Sequence, residues 1–176
     1  MKKLYAEIPY LKGDRIVIKR IGQEDAGALA EMVSDPLVYR YVPAFLFEKK
    51  YDDINYMISR LYDECLEDSL ILGIYDKEGF CGLAELYGYR EDLHKISLGC
   101  RLIQRAWHKG IAAEATDLLI DHVFNEKNLE IITASSMTVN KPAGRVLERC
   151  GFSLVISGAE EDWGFKQPTV TDKWIR

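Results

Sequence analysis

The stretch ISLGCRLIQRAWHKGIAAEATDLLIDHVF (96–124) decides the fold. Its start alternates: Ile96, Leu98, Cys100 and Leu102 share one face, while Ser97, Gly99 and Arg101 share the other with Lys95 just ahead. Such a period of two predicts a half-buried strand over 94–103. After RAWHKG the period changes. Ile111, Ala115, Leu118, Leu119 and Val123 recur at helical spacing and predict a helix over roughly 111–126. The first turn of a helix has amides without intrahelical acceptors, and its dipole end is positive. Because Gly110 allows close backbone approach, the amides of His108, Lys109, Gly110, Ile111, Ala112 and Ala113 could converge on a phosphate. Arg101, Arg105 and Lys109 add three positive charges within nine residues, and His108 adds a donor. Two readings stay open on these residues alone: a turn that grips a phosphorylated cofactor, or an ordinary helix start topped by solvated basic side chains. The pattern is neither G-x-x-x-x-G-K-[ST] nor G-x-G-x-x-G, so nucleotide hydrolysis and a dinucleotide site lose support.

Working outward, RIVIKRI (15–21) reads as a strand, and Ala26, Leu29, Ala30 and Val33 as a helix closed by Pro36. Ile54, Met57, Ile58, Leu61 and Cys65 predict a second helix from about Tyr51 to Leu66. LILGIY (70–75) and FCGLAELYGY (80–89) are strands joined by a turn at Asp76–Gly79. EIITASSM (130–137) is another strand, and Asn140 then opens a short helix with Ala143, Val146, Leu147 and Cys150 on one face. Gly151 stands where a left-handed helix cap belongs, and strands follow over 152–157 and 169–176. The order β-α-α-β-β-β-α-β-α-β-β makes one mixed α/β layer structure, a single domain over 1–176.

The composition agrees with a globular chain. It is 48% hydrophobic over 176 residues, with a net charge of −5 from 23 Lys plus Arg against 28 Asp plus Glu. No basic excess points to nucleic acid, and no apolar run reaches the roughly 20 residues that cross a bilayer. MKKLYAEIPYLKGDR carries no signal-length apolar run, and the four cysteines (65, 81, 100, 150) form no C-x-x-C pair. A cytoplasmic location is the expectation. The three histidines lie at no metal-ligand spacing from a Cys or Asp, so no metal is expected.

Two segments carry a resemblance. RAWHKGIAAEATDLLIDHVF resembles the acyl-CoA-binding core of the GCN5-related N-acetyltransferases (GNAT), closest to their RimJ/RimL-like branch, which modifies ribosomal-protein N-termini. The family pattern [QR]-x-x-G-x-[GA] falls on residues 107–112, with Gly110 and Ala112 matching and Trp107 in place of Gln/Arg. NKPAGRVLERCGF (140–152) is similar to the branch's N-x-x-S-x-R-V-x-E-K-x-G-F, with Asn140, Arg145, Val146, Glu148, Gly151 and Phe152 in register. The resemblance covers most of residues 15–157.

It implies an α/β (α+β) fold: a mixed, mostly antiparallel sheet of six to seven strands, helices on both faces, and two splayed parallel strands at the centre. It implies an enzyme that moves the acetyl group of acetyl-CoA to a primary amine, either a protein N-terminal α-amine or a small-molecule amine, by direct attack, with a homodimer common in the family. Main chain near Arg101, Leu102 and Ile103 would bond the pantetheine arm, the amides of His108 to Ala113 would hold the diphosphate, and Arg145 belongs to the same cofactor-binding set. Asn140 is either a pantetheine contact, a helix N-cap, or both. Ala143 replaces the branch's Ser, and Leu147 stands where other members carry a thiolate-protonating Tyr, which leaves the general acid unassigned. Those losses define the alternative, a catalytically degenerate CoA-binding sensor on the same fold.

Glu85, central in the third predicted strand, is the candidate base, with solvent-facing carboxylate as its plain alternative. Ser97 and Asn140 are the further catalytic candidates. Cys100 is either an acyl relay or a packing thiol. VYRYVPAFLF (38–47) falls where the family builds its acceptor wall and reads equally as core.

Overall fold

A computed structural model describes residues 7–65 and 69–176. The end of the second expected helix at Leu66, the side chain of Cys65 and the first six residues lie outside the described set. The strands are β1 (Leu11–Lys12), β2 (Val17–Lys19), β3 (Ser69–Asp76), β4 (Gly79–Arg90), β5 (Lys95–Leu102), β6 (Ile131–Met137), β7 (Ser153–Glu161) and β8 (Thr169–Ile175). The helices are α1 (Ala26–Ser34), α2 (Ile54–Cys65), α3 (Ile111–Asp121) and α4 (Lys141–Arg149). The sheet order is β1-β2-β3-β4-β5-β6-β8-β7, and only β5 and β6 run parallel. This is the expected mixed sheet, extended to eight strands because the short pair Leu11–Lys12 adds two rungs against Ile18 and Val17.

β3 reads as a nearly continuous apolar run because both its faces are covered: Leu70, Ile71, Leu72 and Ile74 are all buried. On one face Ile71 and Leu83 meet Leu29 of α1 and Met57 and Leu61 of α2. On the other, Trp174 underlies α4 at Gly144, and the Cys150 thiol reaches the Ala113 carbonyl of α3 at 3.6 Å. α3 continues through a wider turn over His122–Glu126, matching the expected end near residue 126. Gly151 has φ +81°, the left-handed cap its position in the sequence predicts.

Candidate active site

β5 and β6 are hydrogen-bonded for only three rungs, Lys95↔Ile131, Ile96↔Ile132 and Ser97↔Thr133. Beyond them β5 stays with β4 as far as Leu102, and β6 stays with β8 as far as Met137. Two strands that each keep an outer partner while losing each other open a V in the sheet. At its apex Ser97 Oγ and Thr133 Oγ1 lie 2.8 Å apart, so the Ser97 hydroxyl is engaged there.

Alternation along β5 fixes which main-chain groups face the opening. The Ile103 amide donates to the Cys81 carbonyl at 2.9 Å, so Ile103 and, two residues back, Arg101 direct their main chain to β4. Leu98, Cys100 and Leu102 therefore face the V. Of the expected set Arg101, Leu102 and Ile103, Leu102 directs its main chain into the opening while Arg101 and Ile103 turn theirs to β4; the Leu102 carbonyl already accepts from Trp107 Nε1 at 2.8 Å. From the opposite strand Ser135 faces inward, because Ile132 exchanges both its bonds with Arg176.

The loop after β5 ends in two left-handed residues, His108 (φ 59°) and Gly110 (φ 76°). The first helical bond of α3 runs from the Glu114 amide to the Gly110 carbonyl at 3.1 Å, which leaves Ile111, Ala112 and Ala113 without intrahelical acceptors. Arg15 braces this turn from the N-terminal region. It donates to the Lys109 carbonyl at 2.6 Å and pairs with Glu114 at 2.7 Å. The expected trio of cations does not gather at this turn. Arg105 is committed to Asp76 at 2.8 Å and to the Phe80 carbonyl at 2.7 Å, and Arg101 is buried beside Glu48 and Glu85. His108 and Lys109 remain exposed at the turn, and Arg145 is exposed on α4.

A cleft of about 1160 Å³ occupies the V and continues across the α1/α2 face of the sheet. Asn140 lines it while also capping α4, its Oδ1 accepting from the Ala143 amide at 3.4 Å; both expected roles are thus compatible in one position. Glu85 projects into the cleft opposite Gly99, whose missing side chain keeps the space before the carboxylate open. Glu85 Oε2 accepts from Arg101 Nη1 at 3.1 Å. Arg101 is held in turn by Glu48, through Nε–Oε1 at 2.5 Å and Nη2–Oε2 at 2.9 Å, and Tyr39 Oη donates to Glu48 at 3.1 Å. Burial works against the Arg101 charge, but Glu48 and Glu85 outweigh it and keep the guanidinium protonated.

Cys100 lines the cleft, and burial pushes its thiol up to about 12. It stays protonated at neutral pH, which speaks against an acyl relay. The 38–47 segment divides its roles: Val38 and Tyr39 are core, Tyr41 and Phe45 line the cleft, and Leu46 is buried at its edge. Its Ala44 amide donates to the Trp163 carbonyl at 2.9 Å, closing the wall against the β7–β8 connection. Sequence reasoning missed Arg15, Glu48 and the cleft pair Glu161–Lys173. Glu48 had a usable signal: it is the first charge after an apolar run, FLFE (45–48).

The family model described as Acetyltransferase (GNAT) domain matches residues 15–153. The chain belongs to the GNAT acetyltransferase family. As a GNAT member it is an acetyl-CoA-dependent N-acetyltransferase. Among curated relatives, "Uncharacterized N-acetyltransferase p20" of Bacillus licheniformis is 27% identical over 154 residues, spanning 86% of this chain and 83% of that protein. A RimL ribosomal alpha-N-protein acetyltransferase superposes with a TM-score of 0.81 at 10% identity, over 96% of this chain and 94% of that one. Spermidine N-acetyltransferase from Vibrio cholerae, solved with CoA and spermine, gives 0.76 at 17% identity over 93% and 96%. These two structural likenesses show a shared GNAT fold.

Proposed function

We propose that the V-shaped gap between β5 and β6 binds acetyl-CoA and that Glu85 serves as the base for an incoming primary amine. The observation that carries this reading is that the inward main chain of Cys100 and the Glu85 carboxylate share one cleft. Pantetheine is an extended amide chain, so it can bond the inward groups of Leu98, Cys100 and Ser135 as a third strand would. The turn His108 to Ala113 offers amides and the positive end of α3 to the diphosphate. An amide on β5 facing the thioester carbonyl stabilises the oxyanion that develops there.

Glu85 takes a proton from the ammonium, directly or through water, and the neutral nitrogen attacks the acetyl carbon. The C–S bond breaks as the C–N bond forms, the remaining surplus proton on nitrogen goes to the thiolate through water, and Glu85 releases its own to solvent. For an α-amine with a pKa near 7.7–8.0 the deprotonation costs about 1 kcal/mol at pH 7, against about 4.6 for a lysine near 10.4. Placing both reactants in contact geometry supplies about 7–11 kcal/mol.

The acceptor is either a protein N-terminal amine, as the RimL likeness favours, or a small amine, as the spermidine enzyme's favours. Mass spectrometry of acetyl transfer to a peptide with a free N-terminus, an N-blocked lysine peptide and spermidine tests both, with acetyl-CoA binding followed by calorimetry. Transfer to one of them with micromolar cofactor binding is the expected result. CoA binding without transfer to any acceptor class returns the sensor reading, and no CoA binding removes the site assignment.

A further inference from the structure

The ion cluster beneath the cleft holds two carboxylates and one guanidinium. Arg101 gives its two closest contacts, 2.5 and 2.9 Å, to Glu48, and a single longer one, 3.1 Å, to Glu85. Glu48 is 2% exposed and has no path to solvent counter-ions, so the pair Glu48–Arg101 is closed upon itself. The surplus negative charge then rests on Glu85, whose Oε1 accepts no hydrogen bond from the described residues and whose side chain remains 19% exposed.

The surrounding cations do not neutralise it. Lys49 sits over the Tyr39 ring at 3.6 Å, Lys50 pairs with Glu64 at 2.5 Å, and Lys173 pairs with Glu161. Lys95 is four residues along β5 from Gly99, the partner of Glu85, or about 13 Å at strand rise. Among the described residues only Arg101 lies within ion-pair distance of Glu85, and a carboxylate oxygen left open to the cleft locally favours a ligand of the opposite sign.

We propose that Glu48 is a positioning residue for the acceptor: by binding Arg101 at two points it leaves Glu85 unneutralised and makes this a docking point for a primary ammonium. The inference rests on the acetyl-transfer reading and adds what leaves the Glu85 carboxylate open to the arriving ammonium. Without Glu48, Arg101 and Glu85 would form a neutral one-to-one pair and the cleft would lose its attraction for a cation.

The test compares two acceptors of nearly equal shape, phenethylamine, which is cationic at neutral pH, and O-benzylhydroxylamine, which is uncharged there. In Glu48→Gln, kcat/KM for phenethylamine is expected to fall about tenfold or more, mainly through KM, as expected for removal of a nearby unit charge. For O-benzylhydroxylamine the change is expected to stay within about threefold, because no charge is at stake. A parallel fall for both acceptors would mean a merely structural role, and no fall for either would mean no role; each overturns the proposal. Should Glu48→Gln fail to fold, the unmodified protein supplies a second measurement. Its CoA complex is expected to bind phenethylamine at least about tenfold tighter than phenethyl alcohol by calorimetry, and equal or absent binding overturns the proposal. Failure of the parent reading is separately visible, as loss of acetyl-CoA binding in the unmodified protein.

Discussion

Glu85 sits where one carboxylate oxygen is oriented by Arg101 and the other faces the cleft. Glu85→Gln keeps the shape and removes the proposed base. Steady-state kinetics are expected to show kcat lower by about 10²-fold or more, with acetyl-CoA affinity within about twofold of the original. Gly110 is a second point where one atom decides. Its φ of +76° disfavours any side chain, and a Cβ would stand 3.1 Å from Arg15 Nη2. Gly110→Leu is expected to abolish measurable acetyl-CoA binding in calorimetry while far-UV circular dichroism stays unchanged, the local strain being about 1–2 kcal/mol.

The V exists because β5 and β6 are each held from outside, and α4 stands over one side of it with Asn140 at its start. Asn140→Ala removes the cap and is expected to lower unfolding free energy by about 1 kcal/mol in urea titration, together with a measurable loss of CoA affinity. At this scale the sequence was most readable. The alternation over 94–103 placed Ser97, Gly99 and Arg101 on one face, and that face is the floor of the cleft. The choice of which β5 amides face the V was not readable, since it depends on pairing with β4 at Cys81, a register between strands that periodicity within one strand does not carry. The Glu48–Arg101–Glu85 cluster escaped for a related reason. Pattern tells that Arg101 points to a face, but its partner lies 53 residues away in the single 3-10 turn Phe47–Lys49.

Across the whole molecule, carboxylates tied to cations set the response to acid. Burial opposes the charge on Glu114, Asp76 and Glu161, yet Arg15, Arg105 and Lys173 respectively outweigh it and hold each carboxyl below its ordinary value. Asp172 is lowered by hydrogen bonds from Ser157 and Thr138. A depressed folded pKa means the stabilisation is complete above the ordinary values, 4.5 for Glu and 3.8 for Asp, and drains away as pH falls through the lower folded ones. Thermal melts are expected to begin falling below about pH 6.5, where the unfolded chain takes up a proton that burial disfavours on His122, and to drop more steeply below about 5 as the four carboxyls act together. A melting temperature that rises on acidification would contradict this assignment.

The brace from Arg15 to Glu114 spans 99 positions of chain. Such a contact forms late, after the entropy of closing a long loop has been overcome. The turn ahead of α3 therefore acquires its working shape only when the beginning of the chain has docked against its middle. On the proposed cofactor site, capture of the diphosphate by that turn becomes a report on completed assembly: a partly folded chain, even with α3 already wound, lacks the clamp on the amides proposed to receive it.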